Sequence, residues 1–122
     1  MFIDLEPEAA RLRERMAQVP DETLHAPHLF DVEVLYALRG LALGGLISEN
    51  RSRHAVKALS DMRVTRYPHG PLAPRIWDLR DNLTAYDAAY VALAEALDAP
   101  LVTMDGRLSR APGHRARVEL YS

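Results

Sequence analysis

Cysteine is absent from this chain of 122 residues, Lys57 is its only lysine, and tryptophan occurs once. Without thiols there is no disulfide framework, no thiolate nucleophile and no cysteine-based zinc site. Acid–base chemistry must therefore come from carboxylates, histidine or tyrosine. Long apolar runs are missing too: no stretch approaches the ~20 consecutive apolar residues that a membrane helix needs. The opening Met1-Phe2-Ile3-Asp4-Leu5-Glu6 has neither the basic start nor the apolar run of a secretion signal, so a cytoplasmic protein with no membrane partner is expected. The serine-hydrolase elbow Gly-x-Ser-x-Gly does not occur.

What is present is ordinary for one globular domain spanning residues 1–122: 48% apolar and 26% charged residues. The net charge of −2 gives no general field for nucleic acid, yet it is unevenly spread. Residues 1–50 hold nine acids against four bases, whereas residues 51–122 hold eleven bases against eight acids. Arg75, Arg80, Arg107 and Arg110 are candidates for phosphate contact.

Glu6-Pro7-Glu8 starts a short amphipathic helix carrying Leu12, Met16 and Val19. Pro20-Asp21-Glu22 breaks it, and Thr23 to Ala26 reads as a brief extended piece before Pro27. From Leu29 to about Leu43 nearly every position is apolar, which predicts a helix buried on most of its circumference until Gly44-Gly45 ends it. Ser48 caps a third helix running to about Met62, and Arg63 to Tyr67 alternates as a strand. Ile76, Leu79 and Leu83 mark a short helix carrying Trp77. Thr84 opens an Ala-rich helix to about Leu97, followed by strands at Leu101–Met104 and Val118–Tyr121. Alternation of helices and strands predicts an α/β layer fold with a small, mostly parallel sheet.

Three acids stand where burial is expected. Glu33 lies mid-way along the most apolar helix, among Phe30, Leu29, Tyr36 and Ala37, where an isolated carboxylate is costly. Pairing with Arg39 or another arginine, or reaching the rim, would relieve it. Asp87 follows Thr84 in the Thr-x-x-Asp pattern of a reciprocal helix cap, yet shares a face with Tyr90, Val91 and Ala94. Asp105 follows the strand Leu101–Met104, at the carboxyl edge where α/β sheets place ligands, although Asp105-Gly106 is also a turn signal. Brought to one sheet edge, these carboxylates would repel unless a proton or cation intervened. An all-oxygen donor set suits Mg²⁺, with Mn²⁺ as the other choice, and such an ion activates water against phosphodiesters. His25, His28, His54, His69 and His114 lack zinc spacing and read as ordinary loop or surface residues. A phospho-acceptor receiver domain is disfavoured because it needs a late lysine, and Lys57 sits on the polar face of a middle helix.

Three blocks carry a family likeness: Leu24 to Arg39, Arg75 to Ala94 (RIWDLRDNLTAYDAAYVALA) and Leu101 to Leu108. They resemble the PIN domain, and within it the VapC-type ribonuclease toxins of toxin–antitoxin pairs. The resemblance implies a three-layer α/β/α PIN-like fold and Mg²⁺-dependent RNA cleavage. It also implies a homodimer, a VapB-like antitoxin that blocks the cleft, and Glu33, Asp87 and Asp105 as three of four metal-binding acids, with Thr84 near the site. The departure is at the start. Family members open with a strand ending in Asp-Ala-Ser or Asp-Thr-Ser, whereas Phe2-Ile3-Asp4-Leu5-Glu6-Pro7-Glu8 matches the end of the first helix. The first strand and its acid are therefore expected to be missing, which leaves a binding-only, catalytically impaired PIN-like protein as the alternative function.

Overall fold

The computed structural model describes residues 24–103, 108 and 110–120. The helix expected to start at Glu6-Pro7-Glu8, and the stretch from Phe2 to Glu8 matched to the end of the family's first helix, lie outside them. Among the described residues four α-helices and four strands follow one another: β1 (Leu24–Pro27), α1 (Leu29–Leu43), α2 (Glu49–Asp61), β2 (Val64–Tyr67), α3 (Ala73–Asp78), α4 (Ala85–Leu97), β3 (Leu101–Thr103) and β4 (Val118–Leu120). A single 3-10 turn at Gly70–Leu72 leads into α3.

Both strand pairings are parallel, as the alternation of helices and strands requires. β1 pairs with β2 from Leu24 opposite Val64 to Pro27 opposite Tyr67, and β3 pairs with β4 from Leu101 opposite Val118 to Thr103 opposite Leu120. Among the described residues these are two separate two-stranded sheets, each lying against α4 through β1 or β3.

Local chemistry accounts for the helix boundaries. The Ser48 hydroxyl accepts the Arg51 N–H at 3.1 Å to start α2. α1 has no side-chain cap of its own; the Leu29 N–H instead donates to His69 Nε2 at 3.2 Å, so a distant imidazole satisfies one of its free donors. Gly45, at φ +73°, supplies the left-handed residue that turns the chain out of α1. Asp98 does the same for α4 at φ 49°, a conformation that Asp tolerates better than most side chains.

The core gathers on α4. Ala88 through Ala94 are all buried, because alanine lets β1, β3, α3 and the 3-10 turn approach the helix from several sides. Ala26, Phe30, Leu59, Leu79, Leu101 and Leu108 complete the main cluster. The expectation for α1 is corrected here. Its described neighbours β1 and α2 cover only one side, so Phe30 is its single buried residue, while Tyr36 is 74% and Leu43 72% exposed. Two helices of similar apolar content thus have opposite fates, and α4 is the one surrounded.

Candidate functional site

One tyrosine, Tyr90, bonds to Glu33 and feels the charge of Asp87. Tyr90 lies one helical turn after Asp87 on α4, and its hydroxyl donates to Glu33 Oε1 on α1 at 2.6 Å. The Arg39 partner considered for Glu33 is not used; Arg39 is exposed, and the buried phenol takes its place. The Tyr90 pKa is driven well above its ordinary value. Burial is the largest cause, followed by the hydrogen bond to Glu33 and then by the negative charges of Glu33, Asp31 and Asp87. Tyr90 thus donates its hydroxyl proton to Glu33 and lies within the field of three carboxylates.

One of those three is already compensated. Asp31 accepts from Arg66 Nε at 2.6 Å and from Nη2 at 2.9 Å, a two-pronged pair across α1 and β2. The same guanidinium also reaches the Val64 and Leu59 carbonyls. Glu33 has only a neutral donor, and Asp87 has no cationic partner among the described residues.

The capping role considered for Asp87 is half realised. Thr84 Oγ1 accepts the Asp87 N–H at 3.1 Å, but among the described residues no return bond runs from the Thr84 N–H to the Asp87 carboxylate. The Thr84 hydroxyl does the capping by accepting the Asp87 N–H, and the Asp87 carboxylate takes no part in the cap. Asp105 lies outside the described residues, two positions beyond the end of β3. Among the described residues no group of three His, Asp or Glu side chains stands at metal-holding spacing. The donor chemistry nonetheless fits a hard divalent cation: Glu33 and Asp87 are half-buried, oxygen-only groups without a cationic partner among the described residues.

Sequence reasoning missed Tyr90 and the Asp31–Arg66 pair. The signal for Tyr90 was its position one turn from Asp87 on the same face. Nothing local announced Arg66, whose partner is fixed by the pairing of β2 with β1 and the packing of β1 against α1. Arg75, considered for phosphate contact, is corrected: it is half-buried and engaged by Glu95 at 2.7 and 3.0 Å. Arg80 and Arg110 remain exposed, and Arg107 lies outside the described residues.

A family model described as PIN domain matches residues 1–114. The chain belongs to the PIN domain family. Its PIN relatives include a protein named Ribonuclease VapC1 from Mycobacterium tuberculosis, 52% identical over 97 residues that cover 79% of this chain and 73% of the relative. Ribonuclease VapC12 from the same organism is 46% identical over 101 residues, covering 83% of this chain and 78% of the relative. Ribonuclease VapC9 is 48% identical over 103 residues, covering 83% of this chain and 81% of the relative. The PIN assignment agrees with the mixed α/β architecture and its parallel strand pairs.

Proposed function

We propose that this PIN chain is a metal-dependent endoribonuclease, the toxin of a toxin–antitoxin pair, acting as one domain over residues 1–122. The observation that carries the reading is the Tyr90 hydroxyl bonded to Glu33 within the field of Asp87, neither carboxylate having a cationic partner among the described residues, in a chain whose relatives are named ribonucleases. Glu33, Asp87 and Asp105 are the residues that would hold Mg²⁺, with Mn²⁺ as a substitute. When bound, such an ion polarises the scissile phosphate and makes its water more acidic. Tyr90 orients Glu33 through its donated proton, and Arg66 keeps Asp31 from competing for the cation. Purified chain is expected to cut RNA with Mg²⁺, to stop with EDTA, and to resume when Mg²⁺ is restored in excess. Cutting that persists undiminished in EDTA would rule the metal reading out.

The exposed apolar ridge of α1, continued by Leu46 and Val56, suits protein partners. The reading assigns it to a homodimer and to a VapB-like antitoxin, with the whole system in the cytoplasm. No helix among the described residues is long and apolar enough to cross a membrane. Sedimentation of the chain alone should give twice the chain mass, and co-expression with the product of the neighbouring gene should give a heavier complex. A monomer in both samples would refute the partner assignment. Folded protein that binds its partner but leaves RNA uncut would instead select the binding-only alternative.

A further inference from the structure

The single tryptophan of the chain is left in the open. Trp77, on α3, is 66% exposed, although an indole is among the most costly side chains to leave bare. Its surroundings differ from the α1 ridge. There the exposed ring of Tyr36 sits among Val32, Leu35 and Leu43, an aliphatic setting suited to another protein. Trp77 has a cation instead: the Arg80 guanidinium lies 4.6 Å from the ring centroid. Arg80 Nη1 donates to the Trp77 carbonyl at 2.9 Å, and the Arg80 N–H donates to the same carbonyl at 3.1 Å. No carboxylate among the described residues pairs with Arg80.

The backbone under this pair is held firmly. Leu79, between them, is buried in the main core, and its N–H donates to the Arg75 and Ile76 carbonyls, both at 3.2 Å. Asn82 and Leu83 then donate to the Leu79 carbonyl, each at 3.1 Å, and the chain passes directly to Thr84 and the first turn of α4. The ring and cation are thus mounted on the segment that delivers Asp87. Tyr86, beside Asp87, is exposed as well.

We propose that Trp77 and Arg80 form a stacking platform for an unpaired base of the RNA, with Arg80 also meeting an adjacent phosphate. A flat ring offers a sequence-tolerant surface to any base, and a guanidinium held at that ring supplies the complementary charge for the backbone. Bases inside a duplex are already stacked, so the platform selects single-stranded RNA. This inference rests on the ribonuclease reading for its substrate, and its test is separable from that reading.

The Asp87→Asn chain, without added divalent metal, is titrated with a short single-stranded RNA. Indole emission and the anisotropy of a label on the RNA are followed together. The expected result is quenching of Trp77 emission along the same curve as the anisotropy. Trp77→Leu should weaken binding about tenfold, and Arg80→Ala should weaken it and lower the salt slope by about one ion. A duplex of the same sequence should quench less. Several results would overturn the platform: RNA binding with no change in emission, Trp77→Leu binding at full affinity, equal quenching by duplex, no RNA binding at all, or quenching by the co-expressed partner protein alone. Quenching by RNA together with no cleavage by the unmodified chain in Mg²⁺ would refute the nuclease reading and leave the platform standing. Cleavage without quenching would do the reverse.

Discussion

Asp87→Asn is expected to lower the rate of RNA cleavage at least ~100-fold, since even supporting residues around a metal site cost 10–100-fold when replaced. The fold should be preserved. What Asp87 contributes to helix α4 is its backbone N–H, which donates to Thr84 Oγ1, and asparagine keeps that bond. Circular dichroism should be unchanged and stability should move by no more than ~0.5 kcal/mol, the usual range for changes that break no buried contact. A fully active Asp87→Asn chain would remove Asp87 from the site, whereas an unfolded one would contradict the division between its backbone and side-chain roles.

The largest loss of stability is expected from Glu95→Ala, about 1–3 kcal/mol, below the ~3–5 kcal/mol of a fully buried pair because Arg75 is partly exposed. The Glu95 side chain is only 3% exposed. It accepts from Arg75 Nε at 2.7 Å and Nη2 at 3.0 Å, and from the Arg115 N–H at 2.6 Å. Arg75 Nη2 also donates to the Gly113 carbonyl at 3.1 Å. The cluster therefore ties α3 and α4 to the segment entering β4, beside a cavity of about 210 Å³ lined by Glu95, Asp98, Arg115 and Arg117. Asp87 and Glu95 lie towards opposite ends of α4, so this damage to stability should be separable from damage to the site.

The pH dependence follows from the same contacts. The hydrogen bonds from Arg75, the largest cause, hold the Glu95 carboxyl below its ordinary value of 4.5, against the opposing effect of burial. A lowered folded-state pKa gives stability that is present above the unfolded value and is lost as pH falls through the folded one. Denaturant unfolding should therefore show Glu95→Ala well below the parent chain at neutral pH, with the gap narrowing in acid. Glu95→Gln, which keeps an acceptor for the Arg115 N–H, should lose less. A constant gap from neutral pH down into acid would show that the loss comes from packing rather than from the ion pair.

Much of this was written in local sequence. The caps at Ser48 and Thr84 depend on a hydroxyl three residues from the N–H it accepts, and α1 ends where Gly44-Gly45 permits a left-handed turn. These interactions span a few residues, so spacing alone reveals them. The family likeness was equally legible, because the blocks around Glu33 and Asp87 are contiguous. The third acid, Asp105, follows β3 in the chain but lies outside the described residues.

Tertiary structure decided the partners. Glu33 and Tyr90 are separated by 57 positions, and Asp31 and Arg66 by 35. No periodicity encodes which acid would take the guanidinium and which the phenol. Packing of α1 against β1, and of β1 against α4, makes that choice. It also chose which apolar helix is buried. Composition fixes how much a helix gains by being covered, but only the arrangement of neighbours determines whether anything covers it: α4 is surrounded, and one side of α1 faces outward.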